Sequence, residues 1–276
     1  MPELPEVETV VIGLRQTKGI LQQKITNLII RQPKLRITIP DNTADLVIGN
    51  VIYNIYRRAK YAIIELDNAH SIIIHLGMSG RLSSYSGKRE QYNKHDHVSL
   101  IMDSGVELTL NDPRRFGLVT VLPNQNLAQS GLFINLGPEP LEAAFDTDYL
   151  HSKLLNKKSP IKTTIMDNSV VVGVGNIYAS ESLFRAGISP IRPANSLTYN
   201  ELELLIAAIK ETLIDAIKAG GSTLRDYRML DGSTGYFQHT FRIYDKAGES
   251  CIKCKQSISK IVQQGRATYW CTGCQT

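Results

Sequence analysis

No stretch of the 276 residues approaches the roughly eighteen uninterrupted apolar positions of a membrane-spanning helix. The opening Met1-Pro2-Glu3-Leu4-Pro5-Glu6 is acidic and proline-rich. It lacks both the basic region and the apolar run of a secretory leader, so a cytoplasmic protein is the expectation. Internal repeats of solenoid length and low-complexity tracts are also missing. Cysteine is scarce: there are four, none before position 251, which excludes a disulfide framework spread through a domain. The hydrophobic share of 42% and charged share of 21% are ordinary for a folded protein, and the length allows one large domain or two smaller ones.

Net charge is +5, shared between the two ends. Residues 1–60 hold nine Lys/Arg against five Asp/Glu, and residues 221–276 hold eight against four. A common surface facing a polyanion fits this distribution, as do ordinary solvated faces. Helical periodicity covers Leu4–Lys18, with Pro5 in the first turn, acidic Glu6 and Glu8 at the positive end of the dipole, and Val7, Val10, Val11 and Leu14 on one stripe. The region from Ile25 to Leu122 then reads mainly as strands, clearest at Val51–Arg57, Tyr61–Leu66, Ser71–Leu76, Val98–Met102 and Val106–Leu110. Their short spacings favour antiparallel pairing, hence a β-sandwich or barrel with an N-terminal helix. After the Gly- and Pro-rich Pro123–Pro140, helices are expected at Tyr149–Leu155, Lys162–Asp167, Tyr178–Ala186 and Thr198–Ala219. Thr198 and Glu201 form a capping-box pattern for the last, and Gly220-Gly221 stops it.

The strongest local signal is Cys251-x2-Cys254 followed, after sixteen intervening residues, by Cys271-x2-Cys274. Two such knuckles joined by a hairpin place four thiolates around one tetrahedral Zn2+. Four sulfur ligands leave no open position for a catalytic water, so the expected role is structural; iron or redox-active cysteines are the alternatives. Arg266 lies between the knuckles, where a guanidinium can reach a phosphate or simply face solvent. In Val172-Gly173-Val174-Gly175-Asn176, glycines allow a tight turn, and a helix starting near Asn176 would offer free N–H groups to a phosphate. A capped helix in a packed domain is the plainer alternative. The run is neither a Walker motif nor a dinucleotide fingerprint in a βαβ setting.

Removal of Met1 would leave Pro2 with a secondary amine, able to attack a sugar carbon and form an iminium. Glu3 and Glu6 could then carry protons, or merely cap the helix. Arg57-Arg58-Ala59-Lys60 concentrates positive charge between two strands and reads as a phosphate site or an exposed basic turn. In His75-Leu76-Gly77-Met78, His75 can satisfy a core hydrogen bond and Met78 can fill a core gap or, on a loop facing DNA, enter the base stack as an unbranched apolar wedge. Arg114 and Phe116 in Asp112-Pro113-Arg114-Arg115-Phe116 could fill the space left by a displaced base, or form a charged turn leading to a core aromatic.

Taken together, the blocks PELPEVET (2–9), RRAKY (57–61), HLGMSG (75–80), KHDHV (94–98), DPRRFG (112–117), LGPEPL (136–141), VVGVGNIYASESLFRAGI (171–188), GGSTLRDY (220–227) and GYFQH (235–239), with the four terminal cysteines, resemble the bacterial formamidopyrimidine-DNA glycosylase family over essentially the whole chain. The resemblance implies an α+β, multidomain protein. It would comprise an antiparallel β-sandwich catalytic domain bearing the nucleophile helix (1–122), a linker (123–141), a helix–two-turn–helix domain (142–221), a lesion-covering loop and connection (222–240) and a zinc finger (241–276), with DNA between the domains. It implies base-excision repair of oxidised purines such as 8-oxoguanine and formamidopyrimidines, through a Pro2 Schiff base followed by β,δ-elimination. Glu3, Glu6 and Lys60 would assist catalysis. Asn176 and Arg266 would hold phosphates beside His75, and Met78, Arg114 and Phe116 would fill the vacated stack, Arg114 facing the estranged cytosine. Ser222, Thr223 and Tyr227 would belong to the lesion-covering loop. The implied partner is damaged double-stranded DNA, with an oxidised purine opposite cytosine, and the protein is expected to be a monomer with one structural Zn2+, no catalytic metal and no membrane attachment. Ser79 departs from the acidic residue that follows the wedge methionine in some relatives. The alternatives are an endonuclease VIII-like enzyme acting on oxidised pyrimidines and a noncatalytic zinc-containing DNA-binding protein.

Overall fold

Leu4–Gln16 forms the first helix, α1, with the valines and leucine of its apolar stripe fully buried. The structure is a computed structural model describing residues 2–223 and 228–276. Two antiparallel four-stranded sheets follow. Strands β1 (Ile25–Ile30), β6 (Asp96–Met102), β7 (Val106–Asn111) and β5 (Arg81–Ser86) pair in that order, and β2 (Ile52–Arg58), β3 (Tyr61–Leu66), β4 (His70–His75) and β8 (Leu118–Pro123) form the second sheet. A short helix, α2 (Thr43–Val47), lies between β1 and β2 in sequence. Alternate residues of both sheets, among them Ile55, Ile64, Ile72, Ile74, Leu100 and Leu108, make one apolar core with the buried stripe of α1. The expected sandwich is therefore present, and α1 rests against β2 and β3.

The hairpins carry the site residues to their turns. Ala59-Lys60 connects β2 to β3 with Arg58 paired to Tyr61, and Ala59 adopts φ +53°. Such a two-residue turn matches the right-handed twist of its strands. Gly77 between β4 and β5 has φ +63°, and a Cβ there would collide with the Phe116 carbonyl carbon and the Gly117 nitrogen. Glycine at this position lets the backbones following β4 and preceding β8 touch.

The chain divides into two compact units, Met1–Ile134 with Ala219–Gln238, and Asn135–Lys218 with His239–Thr276. The second contains α3 (Thr147–Leu154), α4 (Ile161–Ile165), α5 (Asn176–Ala186) and α6 (Tyr199–Lys218). The capping box of α6 is formed: Thr198 N–H donates to Glu201 Oε2 at 2.8 Å, and Glu201 N–H to Thr198 Oγ1 at 3.4 Å. Hairpin β9 (Ser259–Gln263) and β10 (Arg266–Trp270) completes this unit, turning through Gln264 and Gly265, both at positive φ. Among the described residues no helix is long and apolar enough to cross a membrane.

Candidate active site and nucleic-acid interface

The start of α1 gathers Pro2, Glu3 and Glu6, all buried. Their backbone requires a cap, because the first N–H groups of a helix have no partner within it. Glu6 supplies it: its Oε2 accepts the Glu3 N–H at 2.8 Å. Its Oε1 accepts the Ser222 N–H at 2.7 Å. Gly221, at φ +78°, brings this segment so close that a Cβ would stand 3.1 Å from the Glu6 side chain. Thr223 follows, its N–H donating to Gln238 Oε1 at 2.8 Å and its Oγ1 accepting the Gly235 N–H at 2.9 Å. Tyr227 lies outside the described residues.

Lys60 is buried at its turn. His75 is also buried, with its ring 4.9 Å from that of Tyr61 and its Nδ1 accepting the Gly77 N–H at 2.9 Å. Burial pushes its pKa down to about 4, helped by the positive charges of Arg36 and Lys60. The imidazole is thus neutral near pH 7, and with Nδ1 as acceptor the proton belongs on Nε2. Arg36 is a cation that the sequence reading missed; its N–H donates to the Gly117 carbonyl at 2.9 Å, which sets it beside the Phe116 loop.

Met78 and Phe116 are 40% and 45% exposed, unusual for large apolar side chains, and the Arg114 guanidinium lies 4.9 Å from the centre of the Phe116 ring. Asp112, fully buried, fixes the loop that carries them. Its Oδ1 accepts from Ser79 Oγ at 2.9 Å and from the Arg114 N–H at 3.3 Å, and its Oδ2 accepts the Gly117 N–H at 2.7 Å. Ser79 therefore ties the Met78 loop to the Arg114 loop. A glutamate at position 79 would set a second carboxylate against Asp112.

In the second unit, Asn176 is the first residue of α5, at the positive end of the helix dipole. Its Oδ1 accepts from Lys162 Nζ at 2.5 Å, and its Nδ2 lies 3.5 Å from Tyr244 Oη. Buried Glu181 accepts the Arg242, Ile243 and Tyr244 N–H groups at 2.8 to 3.2 Å, anchoring the approach to Tyr244. The sequence motifs single out none of Lys162, Glu181 and Tyr244. Arg266 is exposed at the start of β10. A polar cavity of about 280 Å³ lies beside it, with Lys157, Ser159 and Asp167 in its wall.

The sulfur atoms of Cys251, Cys254, Cys271 and Cys274 all lie within 4.8 Å of one another. Four thiolates at about 2.3 Å from a tetrahedral zinc stand just under 4 Å apart, so this donor set fits such an ion. The Cys251–Cys274 pair is 3.8 Å apart and the Cys254–Cys271 pair 3.3 Å.

Residues 1–119 match the formamidopyrimidine-DNA glycosylase N-terminal domain, and residues 136–228 match the formamidopyrimidine-DNA glycosylase H2TH domain. A curated formamidopyrimidine-DNA glycosylase of Wolbachia sp. subsp. Drosophila simulans is 50% identical over 275 residues, with each chain covered in full. Among solved structures, a Lactococcus lactis FPG mutant in complex with a Fapy-dG containing DNA superimposes at a TM-score of 0.91, with 34% identity and 99% of each chain covered. The Lactococcus lactis Fpg with an abasic site containing DNA gives 0.90, with 35% identity and the same coverage. With both domains matched in order and one relative half identical along its full length, the chain belongs to the formamidopyrimidine-DNA glycosylase family, the DNA glycosylase/AP lyases of base-excision repair.

Proposed function

We propose that this chain removes oxidised purines, 8-oxoguanine and formamidopyrimidines, from double-stranded DNA through a covalent intermediate on Pro2. The observation that carries the reading is the start of α1, where Pro2 and Glu3 are buried and the Glu6 carboxylate accepts the Glu3 and Ser222 N–H groups. Once Met1 is removed, the secondary amine of Pro2 is less basic than a lysine amine, so more of it is neutral at cellular pH. The lesion must leave the stack, since its C1′ is inaccessible inside the duplex.

The Pro2 nitrogen bonds to C1′ as the bond to the base breaks and its electron pair leaves with the base. Proton loss from nitrogen and protonation of the ring oxygen then open the sugar to an iminium, and Glu3 is assigned to carry that proton. The iminium acidifies C2′; loss of that proton expels the 3′ phosphate, and a second elimination expels the 5′ phosphate. Both Glu6 oxygens accept backbone N–H bonds, which suits an organiser more than a proton carrier. Lys60 and neutral His75 are assigned to phosphates beside the lesion, Met78 and Phe116 to the vacated stack, and Arg114 to the estranged cytosine. Asn176 and Arg266 are assigned to the backbone. Ser222 and Thr223 belong to the lesion-covering segment, Tyr227 being assigned there by resemblance alone. The four cysteines are assigned one structural Zn2+, which would hold the β9–β10 hairpin in place and take no part in the chemistry. The protein is proposed to act as a cytoplasmic monomer.

Borohydride trapping and cleavage of duplexes containing 8-oxoguanine opposite C, 8-oxoguanine opposite A, or an oxidised pyrimidine test this reading. The expected order puts 8-oxoguanine opposite C first. Preference for the pyrimidine would place the chain with endonuclease VIII-like enzymes, and trapping at an undiminished rate after blocking the N-terminal amine would rule out Pro2.

A further inference from the structure

Lys162 is 1% exposed on α4, yet the reaction above gives it no part. An ammonium taken out of water must recover its lost hydration from fixed polar groups. Its three N–H donors meet three oxygens: Asn176 Oδ1 at 2.5 Å, the Ala267 carbonyl at 2.9 Å and Thr268 Oγ1 at 2.8 Å. The Thr268 hydroxyl spends its own proton on Gln263 Oε1 at 2.9 Å, leaving its oxygen to accept from the lysine. These oxygens belong to the first residue of α5 and to the second and third residues of β10, whose first residue is Arg266.

An ammonium has no acceptor. The Asn176 amide must therefore turn its oxygen toward Nζ, which commits Nδ2 to the opposite side, toward Tyr244 Oη. In the flipped orientation the amide would offer an acceptor where a phosphate needs a donor. The buried charge also polarises the amide whose far side receives the anion, an effect that low local dielectric strengthens.

We propose that Lys162 is a positioning residue of the phosphate-binding surface: its buried ammonium fixes the Asn176 amide with the N–H side outward and joins it to the strand that begins at Arg266. The inference rests on Asn176 and Arg266 being phosphate contacts. One cation thus sets the mutual placement of two anion-binding groups that are 90 residues apart in sequence.

The test uses the full-length, zinc-loaded protein and fluorescence anisotropy on an undamaged duplex and on an abasic-analogue duplex over a range of salt. Lys162→Met and Asn176→Ala should each weaken both duplexes by about tenfold, and the double variant should be no more than about twofold weaker than Asn176→Ala alone, as coupled neighbours require. For Lys162→Met the loss should appear in the concentration of abasic DNA needed to saturate borohydride trapping and not in the trapping rate at saturation, since it lies in binding and not in chemistry. Additive losses in the double variant, or wild-type binding by Lys162→Met, would overturn the positioning role. If Asn176→Ala binds as wild type, the phosphate reading itself fails instead. Should Lys162→Met not fold, the wild-type protein still decides: three fixed hydrogen bonds require a slowly exchanging Lys162 ammonium signal in ¹⁵N NMR, altered by Asn176→Ala. A rapidly exchanging ammonium, or a signal indifferent to Asn176→Ala, would refute the arrangement.

Discussion

Ser222 donates its backbone N–H to Glu6 Oε1 at 2.7 Å, across 216 positions of sequence. The other oxygen of that carboxylate caps the helix that begins beside Pro2. The start of α1 and the segment that begins at Ser222 are therefore held by one side chain.

Glu6→Gln should separate these duties from gross folding. The new amide nitrogen must face one of two buried N–H donors, a conflict worth about 1–3 kcal/mol. Trapping at saturating abasic DNA is expected to slow by about tenfold or more, with undamaged duplex binding within about twofold of wild type. A trapping rate equal to wild type would show that the carboxylate does not organise the site.

Arg114→Ala should change which base is tolerated opposite the lesion more than it changes overall affinity. Each well-placed bidentate contact to a base is worth about 1–3 kcal/mol of discrimination, so the preference for C over A should narrow by about tenfold. Arg266→Ala should instead weaken all duplexes alike and make the salt slope shallower by about one unit. Equal losses on every opposing base after Arg114→Ala would contradict its assignment.

Acid should destabilise the first unit through His75. Its folded pKa of about 4, set first by burial and then by Arg36 and Lys60, lies below the value of about 6.5 expected for an unfolded imidazole. Between those values the unfolded chain binds a proton that the fold does not, so stability falls as pH drops from about 6.5 toward 4, by about 1.4 kcal/mol per pH unit from this group. Urea unfolding of wild type and His75→Gln across that range should differ in slope by close to one proton. Identical slopes would mean His75 does not titrate between the two states.

Native mass spectrometry should find one zinc per folded chain. Stripping it with a chelator, or Cys254→Ser, should loosen the hairpin that bears Arg266 and weaken duplex binding by about tenfold or more. Full affinity in a zinc-free chain would show that the four-cysteine cluster serves neither the fold of the tip nor its contact with DNA.

Much of the architecture is legible because its signals are local. The apolar stripe and early proline of α1, the Thr198–Glu201 box of α6 and the paired cysteine knuckles each declare themselves within a few residues. β5 does not: Arg81–Ser86 offers only two large apolar or aromatic residues, and it is recognisable as a strand chiefly through its pairing with β7. The residues that position the site are hidden for the same reason. Lys162 stands in an unremarkable Ile-Lys-Thr-Thr-Ile, and its partners are 14, 105 and 106 residues away. Asp112 reads as the start of a charged turn, yet it is fully buried because three donors converge on its carboxylate.

The sandwich core has one further tenant, Leu230, which lies 5% exposed among the residues buried beneath α1. A Cβ added at Gly13 would stand 3.2 Å from the Leu230 Cβ, so helix and leucine fit face to face. A ribosome delivers residues 1–134 well before it reaches this residue, and builds 135–218 of the other unit in between. The nascent sandwich therefore waits with an apolar seam open, exposed to chaperones and to aggregation, until the far side of α6 has been synthesised. In this protein the part made first is not the part finished first.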